Sequence, residues 1–277
     1  MGAGVVRFKG IVAVAGAECS KLSAQIKTRV SLAACVVGPF AFAAAMRVQN
    51  SLPEDTLFGR AVKESGFALP LVVLGFAALW VLPALTSIVG GDVFSAEDRY
   101  GTWKTLLTRS CGRSEVFAGK VAVALGFSLL ALGVLAISSI AAGLLVIGSG
   151  PLVGLTGAQL LPTDALVRVT FAWLSVLPPM FAMTAIAILL SVATRNSAAG
   201  IGLPVIAALT MQLYALIDGP EVVRQLLITY GFGAWHGLLA EPPYHRPLVY
   251  GTVGSGIYVV LSLALAYRLL ERRDIAG

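Results

Sequence analysis

The stretch SAEDRYGTWKTLLTRSCGRSEVFAGK, residues Ser95–Lys120, decides the fold because it carries eight formal charges between two runs that carry none. These uncharged runs are Phe67–Gly91 before it and Val121–Thr163 after it. An apolar segment of about 20 residues is long enough to cross the hydrocarbon core of a bilayer. The sequence therefore predicts two membrane-spanning helices joined by a charged segment that lies outside the membrane.

The whole chain shares this apolar character. Of its 277 residues, 57% are apolar and 12% charged, with a mean hydropathy of +0.87, whereas a soluble domain is about 25% charged. We expect an all-α polytopic membrane protein with six transmembrane helices and an N-terminal interfacial amphipathic helix. The predicted spans are Val30–Met46, Gly66–Gly90, Val121–Ile147, Val169–Ala193, Ala198–Ile217 and Leu248–Leu270.

These spans divide a single transmembrane domain, 1–277, into consecutive parts. The predicted parts are the interfacial helix 1–29, spans one and two in 30–90, the charged segment 91–120, spans three to five in 121–217, an external segment 218–247, span six in 248–270 and a tail 271–277.

The distribution of Lys and Arg predicts the orientation. With the N-terminus in the cytosol, 14 of the 20 basic residues lie on that side and six on the other, while the acidic residues divide seven and seven. Such a bias is typical of cytosolic loops, so both termini are expected in the cytosol. The same bias explains the net charge of +6, and no nucleic-acid partner is expected.

Residues 1–29 allow two interpretations. Arg7 and Lys9 before an apolar run ending at Cys19 resemble a signal peptide, but the run is short and Glu18 stands where a small residue is expected. The favoured interpretation is a helix lying on the membrane surface, in contact with lipid, with Lys21 and Lys27 directed to headgroups. The cysteines have neither disulfide nor metal-binding spacing.

The predicted spans carry few groups that could do chemistry. Spans one to five contain no ionisable residue, and Arg268 lies at the cytosolic end of span six. Ion-coupled carriers and intramembrane enzymes usually carry such residues at membrane depth, so no catalytic residue and no metal site are expected. Gly119-Lys120 lacks the spacing of a phosphate-binding loop. The glycines of Gly254–Gly256 are expected to let helices approach closely.

The charged segment has the pattern of two short helices. Ser95 and Asp98 have the spacing of a helix-opening cap, and Gly101 suits a left-handed helix end. Thr102 is a candidate cap for the next helix. That helix would present three apolar side chains at i, i+3 and i+4, namely Trp103, Leu106 and Leu107. A turn at Ser110–Gly112 and a helix start at Ser114 complete the prediction.

The run EDRYGTWKTLLTRSCGRSEVFAGK, residues 97–120, resembles the cytosolic segment of ABC transporter type-2 permeases, the membrane subunits of many bacterial exporters. The shared pattern is an acidic residue, Gly-Thr, a Leu-Leu pair, an Arg after a turn and a Lys that opens the next span. Many members have Pro in the turn, where this chain has Ser110 and Cys111. The matching positions are Glu97, Gly101, Thr102, Leu106, Leu107, Arg113 and Lys120.

The resemblance implies a transport subunit of the bacterial cell membrane that does not hydrolyse ATP and binds no cofactor itself. Two permease copies, or one copy and a homologue, would pair with two ATP-binding subunits that carry ATP and Mg. The matching positions and Trp103 would couple the permease to the ATPase, with Trp103, Leu106 and Leu107 as docking residues. Glu97 and Arg113 would brace the segment by ion pairing.

The resemblance leaves other features open. Val222–Trp235 either forms short helices that dip into the membrane, as in that family, or a structured external loop. Polar and aromatic side chains in the spans either line a path for an amphiphilic or hydrophobic substrate or bond neighbouring helices. These residues are Thr170, Trp173, Ser175, Thr184, Gln212 and Tyr214. The alternative function is a stand-alone secondary, ion-coupled transporter, and an intramembrane enzyme is a more distant one.

Overall fold

The computed structural model describes residues 2–48, 58–107, 112–215, 217 and 219–273, and this part of the chain is almost entirely helical. Two short π-helical segments, Ala77–Val81 and Gly143–Ile147, interrupt the membrane helices, and 3-10 turns cover Arg60–Lys63 and Ala234–Leu239. The α-helices are α1 Gly2–Ala24, α2 Ile26–Val48, α3 Ala68–Phe76, α4 Leu82–Gly90, α5 Ser95–Tyr100, α6 Trp103–Leu107, α7 Arg113–Ala142, α8 Pro162–Ser175, α9 Leu177–Thr194, α10 Ser197–Ala215, α11 Glu221–Leu226, α12 Ile228–Gly233 and α13 Arg246–Glu271.

Six helical stretches of the described chain are long and apolar enough to cross a membrane, which confirms the predicted number. They are Ile26–Val48, Ala68–Gly90, Arg113–Ile147, Pro162–Thr194, Ser197–Tyr214 and Arg246–Glu271. The fold class is confirmed as well. The prediction did not include the antiparallel ladder of β1, Leu152–Val153, with β2, Gln159–Leu160, in the loop after span three.

Two helices begin well before their apolar stretch. α7 begins at Arg113 rather than Val121, because the amide of Gly112 donates to Glu115 Oε2 at 3.0 Å and caps the helix over its charged first turns. Span four begins at Pro162 rather than Val169. It breaks at Val176 into α8 and α9, and prolines at the start of a helix lack an amide that would be unpaired there anyway.

The predicted N-terminal helix is α1, and it packs along the first turns of α7. The backbones approach so closely that a Cβ on Gly119 would lie 2.8 Å from the side chain of Val14. Phe8 and Val12 on another face remain exposed. α1 is therefore fixed to span three by packing, while its apolar outer face stays free for the predicted membrane surface.

α9 is the centre of the bundle and contacts α4, α7, α10 and α13. The hydroxyls of Thr184 on α9 and Ser128 on α7 are both buried and lie 2.8 Å apart. On the first span, the carbonyl of Cys35 accepts a bond from Ser138 on α7 at 2.6 Å. Hydrogen bonds between helices thus supplement apolar packing inside the bundle.

The segment between spans five and six forms α11, α12 and the 3-10 turn Ala234–Leu239, packed against α8, α9 and α13. Ile228, Phe232 and Trp235 are buried there. The short helices are confirmed, and their depth in the membrane stays a prediction.

The glycines predicted to bring helices together are the wrong ones. A Cβ on Gly254 would meet no atom closer than 4.0 Å, and one on Gly256 none within 4 Å. The close contact on α13 is at Gly251, where a Cβ would lie 2.8 Å from the Cα of Gly231. The neighbouring Ser255 is buried and turned inward, so the tight face of α13 lies beside the predicted motif.

Span two ends in a second glycine contact. A Cβ on Gly91 would lie 2.3 Å from the carbonyl oxygen of Gly200 on α10, and a Cβ on Gly200 would lie 2.3 Å from that of Gly91. These are backbone atoms, which cannot move away as a flexible side chain can. The contact therefore fixes the point at which the charged segment leaves span two.

We predict that Gly91→Ala destabilises the protein by about 1–3 kcal/mol, because the added methyl group forces two backbones apart. Gly75→Ala in the same span is the matched control, since its Cβ meets nothing within 4 Å. The unfolding midpoint of the detergent-purified protein measures the difference. An equal midpoint for both variants would contradict the described contact.

Candidate functional site

The charged segment folds as two short helices that meet at Gly101. This residue ends α5 in the left-handed conformation, with φ 64°, which glycine adopts at little cost. The amide of Gly101 donates to Asp98 O at 3.3 Å and that of Thr102 to Glu97 O at 3.0 Å. The two bonds close a Schellman motif. The predicted helix end at Gly101 is confirmed.

Span four holds the start of α5. The backbone amides of Phe94 and Ser95 donate to the hydroxyl of Ser191 at 3.3 and 3.0 Å. The hydroxyl of Ser95 donates back to Gly91 O at 2.9 Å. The predicted cap between Ser95 and Asp98 is therefore wrong, because the Ser95 hydroxyl is bonded to span two, although α5 does begin at Ser95.

Trp103 faces the protein interior and is 6% exposed. Its ring centroid lies 6.4 Å from that of Phe94, and the guanidinium of Arg273 lies 5.3 Å from its centroid. Arg273 also forms an ion pair with Asp98. The expectation that Trp103 presents its ring at the surface is wrong, because the ring joins α6 to the end of α13.

The other parts of the predicted docking helix are described only in part. Leu106 packs partly against the same apolar core as Trp103. The side chain of Leu107 lies outside the described residues. So do Ser110 and Cys111 of the predicted turn Ser110–Gly112. Their roles in coupling stay predictions.

Four charged side chains from three helices form what we call the charge cluster: Glu18 and Lys21 of α1, Glu97 of α5 and Lys120 of α7. The Lys120 side chain is 0% exposed, and its ammonium lies 3.0 Å from Glu18 Oε1 and 2.9 Å from Glu97 Oε1. It also donates to Val93 O at 2.9 Å. An ammonium has three donors, so Lys120 makes all the bonds it can.

Lys21 approaches the same two carboxylates from outside. Its ammonium lies 2.8 Å from Glu18 Oε1 and 2.9 Å from Glu97 Oε1, and its side chain is 50% exposed. Both carboxylate oxygens therefore lie between a buried and a half-exposed cation. Burial of Lys120 is tolerated because each charge in the cluster has an opposite partner.

The pKa of Glu97 lies well below its usual value. Its second oxygen accepts a bond from the Thr102 hydroxyl, so that hydroxyl does not act as the predicted cap of α6. Burial acts to raise the pKa of Glu97. The charge of Lys120 and hydrogen bonds from Thr102, Lys120 and Lys21 outweigh it and lower the pKa to about 2.

Asp92 forms a second ionic contact at the same end of the bundle. It pairs with Lys27 of α2 and lies 3.4 Å from the guanidinium of Arg99. Burial acts to raise the pKa of Asp92, but hydrogen bonds from Lys27 and Ser197 and the charges of Lys27 and Arg99 lower it. The first span is thereby joined to the charged segment.

Arg113 and Glu97 do not brace the segment by pairing with each other. Arg113 Nη1 donates to the backbone oxygens of Leu270, Glu271 and Arg273 at 3.4, 2.6 and 2.9 Å. The last carbonyls of a helix lack partners within it, so Arg113 closes the end of α13. Ion pairing is thus confirmed for Glu97, whereas Arg113 forms no ion pair with any residue in the described part of the chain.

A cavity of about 330 Å³ opens between α1 and α5 beside the charge cluster. It reaches the outer side of the cluster, where Lys21 lies. Its polar lining includes Glu18, Lys21, Gln25, Asp92, Glu97 and Tyr100.

The candidates for a substrate path are spread over α8, α9 and α10, and none of them lines this cavity. Thr170 and Ser175 donate to carbonyls of their own helix, and Thr184 bonds both Met180 O and Ser128. The ring of Trp173 is buried. The Gln212 amide donates to Leu79 O in the π-helical part of span two at 2.7 Å, and Tyr214 lies beside Gly219. Their role in transport stays a prediction.

The sequence interpretation missed the partners of Lys120 on α1. Glu18 is the first acidic residue of the chain, and the next is Glu54. A lone carboxylate in a surface helix, together with a lysine at the edge of an apolar span, was the available signal. The pairing itself joins residues about 100 positions apart and has no local pattern.

The fold and this site define a multi-pass helical membrane protein whose second and third spans are joined by a braced two-helix segment. The family described as "ABC-2 family transporter protein" matches residues 16–211. The chain belongs to this family, which confirms the resemblance and makes the protein a membrane subunit of an ABC transporter. The matched range contains all four residues of the charge cluster.

A similarity to one curated protein is consistent with this assignment. "Uncharacterized protein YhcI" of Bacillus subtilis (strain 168) is 24% identical over 251 residues, which cover 83% of this chain and 74% of that protein.

We predict a specific pH dependence for the stability of the site. Because the pKa of Glu97 is lowered from 4.5 to about 2, its ionisation stabilises the fold above pH 4.5, and that contribution is lost as the pH falls from 4.5 to about 2. Glu97→Gln should lower the unfolding midpoint at neutral pH and reduce the further loss in that acid range. Glu221→Gln, at an exposed carboxylate, is the control. A steeper acid loss in Glu97→Gln than in the unsubstituted protein would contradict this.

Proposed function

We propose that this chain is the permease subunit of an ABC exporter that moves an amphiphilic or hydrophobic compound out of the bacterial cytosol. Membership in the ABC-2 family implies a partner subunit that binds ATP. The observation that carries the proposal further is the charged segment, which stands at one end of the bundle and is joined by side chains to five of the six spans.

The docking surface for the ATP-binding subunit is the exposed side of α5 and α6. Tyr100 is 70% exposed and stacks beneath the guanidinium of Arg99, 4.8 Å from its ring centroid. Lys104 is exposed next to it. Exposed aromatic and Arg side chains are enriched where proteins bind each other. In this proposal Trp103 holds the surface from inside, while Tyr100 and the free part of Leu106 touch the partner.

The work of ATP hydrolysis is done by the partner, with ATP and Mg bound there. Two such subunits serve two permease copies, or one copy and a homologue. The second permease covers the face formed by spans one, two and five. Span two contacts both span one and span five, and Phe76, Leu79 and Trp80 on span two are exposed. The polar side chain of Gln212 also lies on this face, where a protein partner or a substrate suits it better than lipid.

Contacts at one end of the bundle support the proposed orientation. Glu18 of α1 and Arg273 after α13 both reach the charged segment, through Lys120 and Asp98. This end carries the excess of Lys and Arg, which supports a cytosolic location for both terminal helix ends. The charged segment then faces the compartment that holds ATP.

We predict that Tyr100→Asp weakens binding of the ATP-binding subunit on the order of tenfold or more, because it replaces the exposed aromatic ring of the docking surface by a short carboxylate. The tagged chain is purified from its native membranes in mild detergent, and the co-purifying ATP-binding subunit is quantified by mass spectrometry. Tyr244→Asp is the matched control, since Tyr244 is 53% exposed but precedes the start of α13, whereas the docking segment contacts the residues at its other end. A helix of 26 residues is about 39 Å long.

Two outcomes would contradict the proposal at different levels. Equal recovery of the ATP-binding subunit with both tyrosine variants would place the docking surface elsewhere. Purification of the unsubstituted chain without any ATP-binding subunit would contradict the exporter assignment itself.

A further inference from the structure

Among the described residues, the ionic contacts between the N-terminal helix and the docking segment run through the charge cluster. α1 packs apolar against α7, with Val14 against Gly119. Its link to α5 is electrostatic, because Lys120 and Lys21 each join Glu18 to Glu97. Removing the charge of Glu18 therefore leaves the packing of α1 on α7 in place and alters the link to the docking segment.

Within that link, Glu18 determines where the Lys120 ammonium lies. Lys120 has two other acceptors, Glu97 Oε1 and Val93 O, and both belong to the charged segment. Glu18 is the acceptor on the other side, from a helix already packed against α7. The position of the ammonium relative to α7 is thus set by Glu18, and the position of the segment is set by the ammonium.

The electrostatic balance adds to this constraint. The cluster contains two carboxylates and two ammoniums, so it is neutral as a whole, and both carboxylate side chains and Lys120 are buried. Loss of one partner from a buried ionic network is far more costly than loss of an exposed ion pair. Neutralising Glu18 leaves both lysines dependent on Glu97 alone.

We propose that Glu18 is a positioning residue for ATPase coupling, and that it makes α1, the start of α7 and the docking helices move as one unit. The inference rests on the proposed function and deepens it. When the ATP-binding subunits displace α5 and α6, the start of span three moves with them, because the ion pairs of the charge cluster keep these helices at fixed distances. The N-terminal helix is then part of the transmission and not only a membrane anchor.

The test compares three variants of the chain in its complex with the ATP-binding subunit. Glu18→Gln keeps the shape of the side chain and removes its charge. Lys21→Gln is the matched control, because Lys21 contacts the same carboxylates but is 50% exposed. The double variant Glu18→Gln with Lys21→Gln restores neutrality without restoring the acceptor for Lys120.

The readout is the distance between spin labels at Ala17 on α1 and Lys104 on α6, both exposed. The native cysteines are replaced by serine, and the distance is measured by double electron–electron resonance, nucleotide-free and after vanadate trapping with ATP. We expect a single narrow distance, unchanged by trapping, in the otherwise unsubstituted complex and in Lys21→Gln. Glu18→Gln and the double variant should lose the narrow peak while retaining the ATP-binding subunit.

Other results would overturn the inference. A narrow distance peak in Glu18→Gln would show that the Glu18 carboxylate does not position the docking segment. A narrow peak in the double variant but not in Glu18→Gln would show that Glu18 only balances the charge of Lys21. A distance that changes on trapping in the unsubstituted complex would contradict movement as one unit. In each of these cases the ATP-binding subunit is still bound, so the proposed function stands. If no ATP-binding subunit co-purified with the unsubstituted chain, the proposed function would be overturned instead.

Discussion

The ammonium of Lys120 is the charge on which the rest of the site depends. It is cut off from water, and its three bonds go to two carboxylates and one carbonyl from α1, α5 and the turn before α5. A buried charge is tolerated only where its partners are held in place. The three segments must therefore come together in one arrangement, and the arrangement places α5 and α6 at the end of the bundle.

The contacts around this charge explain how the charged segment can act on the membrane helices. Lys27 joins Asp92 to the first span, Ser191 holds the start of α5 from the fourth, and Arg273 ties Asp98 to the sixth. Lys120 itself belongs to the third. The hydroxyl of Ser197, at the start of the fifth span, lies 3.0 Å from that of Ser95. A force on α5 and α6 is thus distributed over five spans through short polar contacts, and the glycine contact between Gly91 and Gly200 also holds the fifth span against the end of the second.

Much of this fold can be predicted from the sequence, because a helix must be long and apolar to cross a bilayer. The charge bias of the loops predicts an orientation as well. The left-handed Gly101 could be predicted too, since a helix end of that kind has a local pattern. The role of Ser95, Trp103 and Arg113 could not. Each of them bonds or packs with a residue of another span, and one sequence carries no signal for such pairing. The ion pair of Glu18 could not be predicted for the same reason, because its partner Lys120 follows it by about 100 residues.

We propose above that the exposed side of α5 and α6 contacts an ATP-binding subunit. The most direct measurement places a photo-crosslinking benzoylphenylalanine at Tyr100 of the full chain, irradiates native membranes and identifies the adducts by mass spectrometry. We expect a covalent adduct with an ATP-binding subunit when the crosslinker is at Tyr100. With the crosslinker at Tyr244, we expect no adduct with that subunit. Adducts with lipid or unrelated proteins alone at Tyr100 would contradict this proposal.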